Sequence, residues 1–181
     1  MNIRIETDRL IIRPITTVDT EAMFAMDSDP EVHRYLGNTP VKTIEQTAAI
    51  IEFLLQQYRD NGIARWAIEL KETGSFIGWT GFKYIRNKVN GHVDFYDFGY
   101  RLARPYWGKG IASEAGTAAL SYGVDQLKLG DVYATTDADN ATSRHILEKL
   151  GFQFVHIFNY DDPTWPAFLG KPTTWYQLKK N

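Results

Sequence analysis

Between residues 92 and 136 the chain reads as strand, bend, helix, strand. The strand-like segment runs from about His92 to Ala103, and Tyr106-Trp107-Gly108-Lys109-Gly110 forms a glycine-rich bend. The helix runs from about Gly110 to Leu127, with Ile111, Ala115, Ala118, Ala119 and Tyr122 at helical spacing. Asp131 to Thr136 reads as the second strand. Parallel strands need a crossover of this kind, so the step implies one parallel pair in the central sheet.

The rest of the chain supplies antiparallel partners and covering helices. Arg9 to Arg13 is a strand closed by Pro14. Asp19 and Ala22 to Met26 suggest a short helix, punctuated by Asp29-Pro30. Thr43 caps a longer helix to about Arg59, with Glu45 and Gln46 in its first turn. Ile44, Ala48, Ile51, Leu55 and Tyr58 form its expected buried stripe. Arg65 to Leu70 and Ser75 to Ile85 are strands joined at Lys71-Glu72-Thr73-Gly74, and Asn90-Gly91 is a turn before the next strand. Asn140 to Leu150 is a helix ended by Gly151, and Phe152 to Phe158 and Thr174 to Leu178 are the last strands. The expected class is α/β (α+β): a mixed, mostly antiparallel sheet of about seven strands flanked by helices. With no repeat or linker, the 181 residues are expected to form a single domain.

Composition narrows the function. Hydrophobic residues make up 44% and charged residues 23%, as in ordinary soluble proteins. There is no cysteine, which excludes disulfides, thiolate metal sites and a cysteine nucleophile. The net charge of -2 comes without a basic block, so no nucleic-acid partner is expected. No apolar run is suited to a signal peptide or a membrane helix, so a cytoplasmic protein without membrane contact is expected. His33, His92, His145 and His156 are scattered without metal-ligand spacing, and no metal is expected.

The bend itself suggests an anion site. Glycine lets the backbone turn sharply and approach a ligand. The first amides of a helix lack internal partners, and with the helix dipole they attract phosphate. Lys109 adds a positive charge. A plain tight turn is the competing reading of Gly-x-Gly. A dinucleotide fingerprint needs a third glycine where Ser113 stands, and a triphosphate loop needs Ser or Thr where Gly110 follows Lys109.

Four segments then extend the pattern over about Thr7 to Phe152. They are Thr7-Asp8-Arg9-Leu10-Ile11-Ile12-Arg13-Pro14 with Asp29-Pro30-Glu31-Val32; Asp97-Phe98-Gly99-Tyr100-Arg101-Leu102; Tyr106-Trp107-Gly108-Lys109-Gly110-Ile111-Ala112-Ser113-Glu114-Ala115; and Asn140-Ala141-Thr142-Ser143 leading to Lys149-Leu150-Gly151-Phe152. In order and spacing these resemble the GNAT acetyltransferase superfamily, in particular its RimJ/RimL-like branch of ribosomal-protein N-terminal acetyltransferases. The resemblance implies acetyl-CoA as acyl donor and an amine as acceptor. It implies that the pantetheine arm runs along Tyr100, Arg101, Leu102 and Ala103. The pyrophosphate would lie on the amides of Gly108, Lys109, Gly110, Ile111 and Ala112, with Asn140 and Ser143 near the pantetheine and thiol. The family pattern has Gln or Arg where Pro105 stands, with Arg104 as the neighbouring substitute.

Acyl transfer to an amine needs a base, donors for the developing oxyanion and help for the departing thiolate. Asp97 is the candidate base, directly or through water, with Asp94 second; strand alternation would put the two on opposite faces. The competing reading of Asp97 is a structural carboxylate paired to an arginine. Some relatives use a tyrosine acid where Leu147 stands, which leaves Ser143 as the nearest hydroxyl. Ser143 shares a helix face with Ile146, Leu147 and Leu150, so it should point inward. Phe158, Tyr160, Trp165, Phe168, Trp175 and Tyr176 are read mostly as core. The long loop from Asp161 to Thr173, with Asp161 and Asp162, and the segment from Met23 to Tyr35 are expected to wall the acceptor site. The expected activity is an N-acetyltransferase acting on a protein N-terminus or small amine. The alternative is an acyl-CoA-binding sensor without turnover. The sequence sets no oligomeric state, and a homodimer is one arrangement open to it.

Overall fold

The computed structural model describes residues 3–160 and 168–179. Its centre is an eight-stranded sheet with strand order β1-β2-β3-β4-β5-β6-β8-β7. The strands are β1 Ile5–Glu6, β2 Leu10–Pro14, β3 Arg65–Leu70, β4 Ser75–Ile85, β5 Phe95–Leu102, β6 Val132–Asp137, β7 Phe152–Asn159 and β8 Pro172–Leu178. The one strand beyond the expected seven is β1, a two-residue segment too short to show an alternating pattern in sequence. It pairs Ile5 with Ile12 and Glu6 with Ile11. Strand β5 starts later than expected, because Asp94 takes a left-handed backbone with φ 53°. Asp94 therefore lies outside the strand, and alternation does not govern its direction.

The helices are α1 Thr20–Asp27, α2 Pro30–His33, α3 Ile44–Asn61, α4 Ile111–Ser121 and α5 Ala141–Lys149. Two devices bound α3. The Gln46 side chain accepts from the Thr43 amide at 3.2 Å, and Gly62 closes the other end at φ 67°. The buried stripe of α3 is rotated from the expected one: Thr47, Ile51 and Leu54 are buried, whereas Ile44 and Ala48 are exposed. The Tyr58 hydroxyl fixes the same face by accepting from the Ile15 amide at 3.1 Å.

Each face of the sheet carries its own core. On one, Ile12, Trp66, Phe82 and Phe98 pack with Ile111 and Ala115 of α4. On the other, Ile15 and Ala67 pack with Met23 and Met26 of α1 and Ile51 and Leu54 of α3. Strand β5 runs between them, with Phe98 and Leu102 in the first core. This alternation gives the two sides of β5 different neighbours.

Candidate active site

The parallel pairing of β5 with β6 is brief. It comprises Tyr96↔Val132 and Asp97↔Tyr133, after which both strands continue, β5 against β4 and β6 against β8. Tyr96 donates to Asp131 O at 2.9 Å, so alternate residues of β5 turn their backbone groups toward β6. Past Asp97 those groups, on Tyr100 and Leu102, face a gap between strands. The strand ends where the Ala103 amide turns back to Ile77 O at 3.0 Å and the Trp107 indole donates to Leu102 O at 2.8 Å. Of the four residues expected along a pantetheine arm, Tyr100 and the Leu102 amide therefore offer backbone to the gap, while the Leu102 carbonyl and the Ala103 amide are already used.

The bend follows at once. Pro105 is the second residue of a tight turn at Arg104–Tyr106, where a missing amide costs nothing. Gly108 and Gly110 have φ 71° and 76°, a conformation that side chains resist. Gly110 is the N-terminal cap of α4, so the amides of Ile111 and Ala112 belong to its unpaired first turn. Lys109 lies with its ammonium 5.8 Å from the Tyr106 ring centre. Arg104 does not turn to the bend; it pairs with Asp29 at 3.1 Å.

Across the gap stands α5. Asn140 caps it by accepting from the Ser143 amide at 3.0 Å. The Tyr100 phenol has two acceptors on Ser143 for its one proton, the hydroxyl at 2.9 Å and the carbonyl O at 3.1 Å. Burial pushes the Tyr100 hydroxyl up to about 12, so it keeps its proton at neutral pH. Leu147 is buried.

The other side of β5 is a chain of charges. Asp97 is ion-paired with Arg65, whose Nη1 also donates to Asp97 O at 2.7 Å. Gly99 makes room for this guanidinium: a Cβ there would sit 3.0 Å from Arg65 Nη2. Arg65 and Arg101 lie 5.2 and 5.1 Å from the Trp79 ring centre. Arg101 pairs with buried Asp27 at 2.7 Å, and His33 Nε2 lies 3.9 Å from the same carboxylate. Burial, reinforced by Arg101, lowers the His33 pKa against the pull of Asp27. Thus α1 and α2 are fastened to β5 and the bend through Asp27 and Asp29.

Two residues near Asp97 carried no signal in the sequence. The Tyr160 and Thr135 hydroxyls lie 3.5 Å apart. Burial, and to a lesser degree the Asp97 charge, push Tyr160 up to about 12. Asp94 is elsewhere, accepting from the Tyr84 hydroxyl at 3.2 Å. Asp161, Asp162 and Trp165 lie outside the described residues. Among the described residues no group of three or more His, Asp or Glu is placed to hold a metal ion, and no helix is long and apolar enough to cross a membrane.

A sequence profile of the acetyltransferase (GNAT) domain matches residues 9–153. The chain belongs to the GNAT acetyltransferase family. It is thereby an acetyl-CoA-dependent acetyltransferase. It is 38% identical over 149 residues to the uncharacterized N-acetyltransferase YoaA of Bacillus subtilis, covering 82% of each chain. It is 23% identical over 152 residues to the spermidine N(1)-acetyltransferase of Escherichia coli, covering 81% of this chain and 76% of that one. Among solved structures, a GNAT acetyltransferase from Bacillus anthracis superposes with TM-score 0.77 at 26% identity, covering 97% of this chain and 98% of that one. Spermidine N-acetyltransferase from Vibrio cholerae, solved with CoA and spermine, shares the fold with TM-score 0.73 at 17% identity, covering 95% and 96%.

The gap and the bend suit an acyl-CoA donor in this family. The gap leaves an edge of backbone donors and acceptors beside β5. The bend turns helix-start amides outward at the end of the same strand.

Proposed function

We propose that this protein transfers an acetyl group from acetyl-CoA directly to a primary amine, on a protein N-terminus or a small molecule, in the cytoplasm. The observation that carries this reading is the early end of β5–β6 pairing at Asp97↔Tyr133, with the Gly108–Gly110 bend at the end of β5. The donor would lie along Tyr100 and Leu102, with its pyrophosphate on the amides from Gly108 to Ala112. The acceptor enters from the side of Asp97, Thr135 and Tyr160, walled by α1 and α2. Asp97 takes the amine proton, directly or through water, while Arg65 holds the carboxylate in place. The amine forms a bond to the acetyl carbon as the carbon–sulfur bond breaks. The Tyr100 phenol donates its hydrogen bond to Ser143 Oγ, which leaves the serine hydroxyl proton to hydrogen-bond the departing sulfur.

Within the family we assign the chain to the RimJ/RimL-like branch, on the four sequence segments that resemble it. The spermidine-acetylating relative keeps small polyamines among the acceptors to test. Incubation with acetyl-CoA and a panel of ribosomal-protein N-terminal peptides, polyamines and amino acids, followed by thiol release, tests the reading. Release that depends on one acceptor class supports it. Acetyl-CoA binding without transfer to any acceptor would leave a binding module instead.

A further inference from the structure

The first turn of α4 contains a carboxylate where an anion is expected to bind. Glu114 is in that turn, its amide donating to Gly110 O at 3.0 Å. Left alone, a negative side chain there satisfies the helix dipole and competes with a phosphate for it. It is not left alone. Its carboxylate accepts from Thr7 Oγ1 at 2.5 Å, from the Arg9 amide at 3.0 Å and from Arg9 Nε at 2.7 Å. Arg9 Nη2 completes an ion pair at 2.6 Å.

The same guanidinium reaches the bend. Arg9 Nη1 donates to Lys109 O at 2.9 Å, and a Cβ on Gly110 would lie 3.6 Å from Arg9 Nη2. Holding the Lys109 carbonyl from the β2 side fixes the peptide between Lys109 and Gly110, and so the direction of the Gly110 amide. Thr7, Gly110, Ser113, Glu114, Thr117 and Lys149 line an open groove beside this contact. Burial acts to raise the Glu114 pKa, but Thr7 and Arg9 outweigh it and hold the carboxylate below its usual range. The carboxylate is therefore ionised at neutral pH, and its charge must be answered.

We propose that Arg9 is a positioning residue of the donor site: it cancels the charge of Glu114 and orients the Lys109 peptide, so that the start of α4 can accept the pyrophosphate of acetyl-CoA. This rests on the acetyl-CoA reading of the bend. It makes the segment before β2, about 100 residues from α4 in sequence, part of the cofactor site.

The sign pattern of a charge-removal cycle separates this role from a purely structural brace. Binding of CoA is measured by calorimetry for the wild type, Arg9→Gln, Glu114→Gln and the double variant, with Arg9→Lys as a second probe that keeps the charge. Arg9→Gln should weaken binding about tenfold, because an unanswered carboxylate then faces the phosphates. Glu114→Gln should bind within about twofold of wild type or more tightly, since Arg9 is freed toward the anion. The double variant should recover most of the loss, and Arg9→Lys should lie between wild type and Arg9→Gln. Added salt should narrow the gap between Arg9→Gln and wild type. Equal losses in Arg9→Gln and Glu114→Gln, with no recovery in the double variant, would overturn the proposal. Affinity unchanged throughout the series, with Gly110→Asp still weakening binding, would overturn it and leave the donor site standing. No CoA binding by the wild type would overturn both.

Discussion

The two sides of β5 are built by different means. Toward β6 and α4, the candidate site is made of backbone: the open strand edge at Tyr100 with the Leu102 amide, and amides shaped by Gly108 and Gly110. Toward α1 and α2, it is made of side chains brought from five elements: Arg65, Trp79, Asp97 with Arg101, Asp27 and His33. A backbone site tolerates much substitution but depends on chain geometry. A side-chain network depends on every member, because each buried charge is answered by another.

That contrast can be broken by experiment. The largest effect is expected from Arg65→Ala, which strands Asp97 in a mostly buried position. Loss of such a partner costs about 3 kcal/mol, read by chemical unfolding. Arg104→Ala, at an exposed pair beside the bend, should cost less than about 1 kcal/mol in the same measurement. Equal costs would show that burial does not set the weight of the ion pairs on the α1 and α2 side.

Next in size are the hydroxyls of Tyr100 and Ser143, which are proposed to stand behind the thiol. Tyr100→Phe and Ser143→Ala should each lower turnover about tenfold. The double variant should be little worse than either single one, because the two share one hydrogen bond. Full additivity would separate them. Asp97→Asn should then shift the pH–rate profile while leaving CoA affinity within about twofold. An unaltered profile would remove Asp97 as base and leave it as the partner of Arg65.

The smallest effect concerns His33. Its pKa is lowered in the folded protein, so the unfolded chain binds more protons as pH falls through the unfolded value of 6.5. Its contribution to stability is present above that value and declines below it. The unfolding temperature should fall between pH 7.5 and 5.5, and fall less in His33→Gln.

The same contrast explains what the sequence revealed. A sharp bend into a helix needs glycines at fixed local spacing, so the turns at Gly108 and Gly110 were legible. So was the inward direction of Ser143, which follows from helical spacing with Ile146 and Leu147. Its partner was not, because Tyr100 lies 43 residues away. The Arg65 partner of Asp97 is 32 residues away on another strand, and local pattern names only an arginine of unknown position. Arg9 sat within a recognised segment, yet its reach to Lys109 depends on β2 lying beside α4. The strands were legible in chain order, as were the antiparallel meander and the one parallel pair; the two-residue β1 and the place of β8 between β6 and β7 were not. The α3 stripe was misplaced because overlapping runs of four-and-three spacing share Ile51 and Tyr58, and only packing chooses between them.

The proposed function stands on the Gly108–Gly110 bend binding the pyrophosphate of acetyl-CoA. Calorimetric titration of acetyl-CoA into Gly110→Asp and Gly110→Asn isolates the charge at the bend. Both variants bear the same strain at φ 76° and nearly the same shape, and they differ in charge. The bend reading predicts that Gly110→Asp binds at least about tenfold more weakly than Gly110→Asn. Equal affinity in the two variants would contradict it.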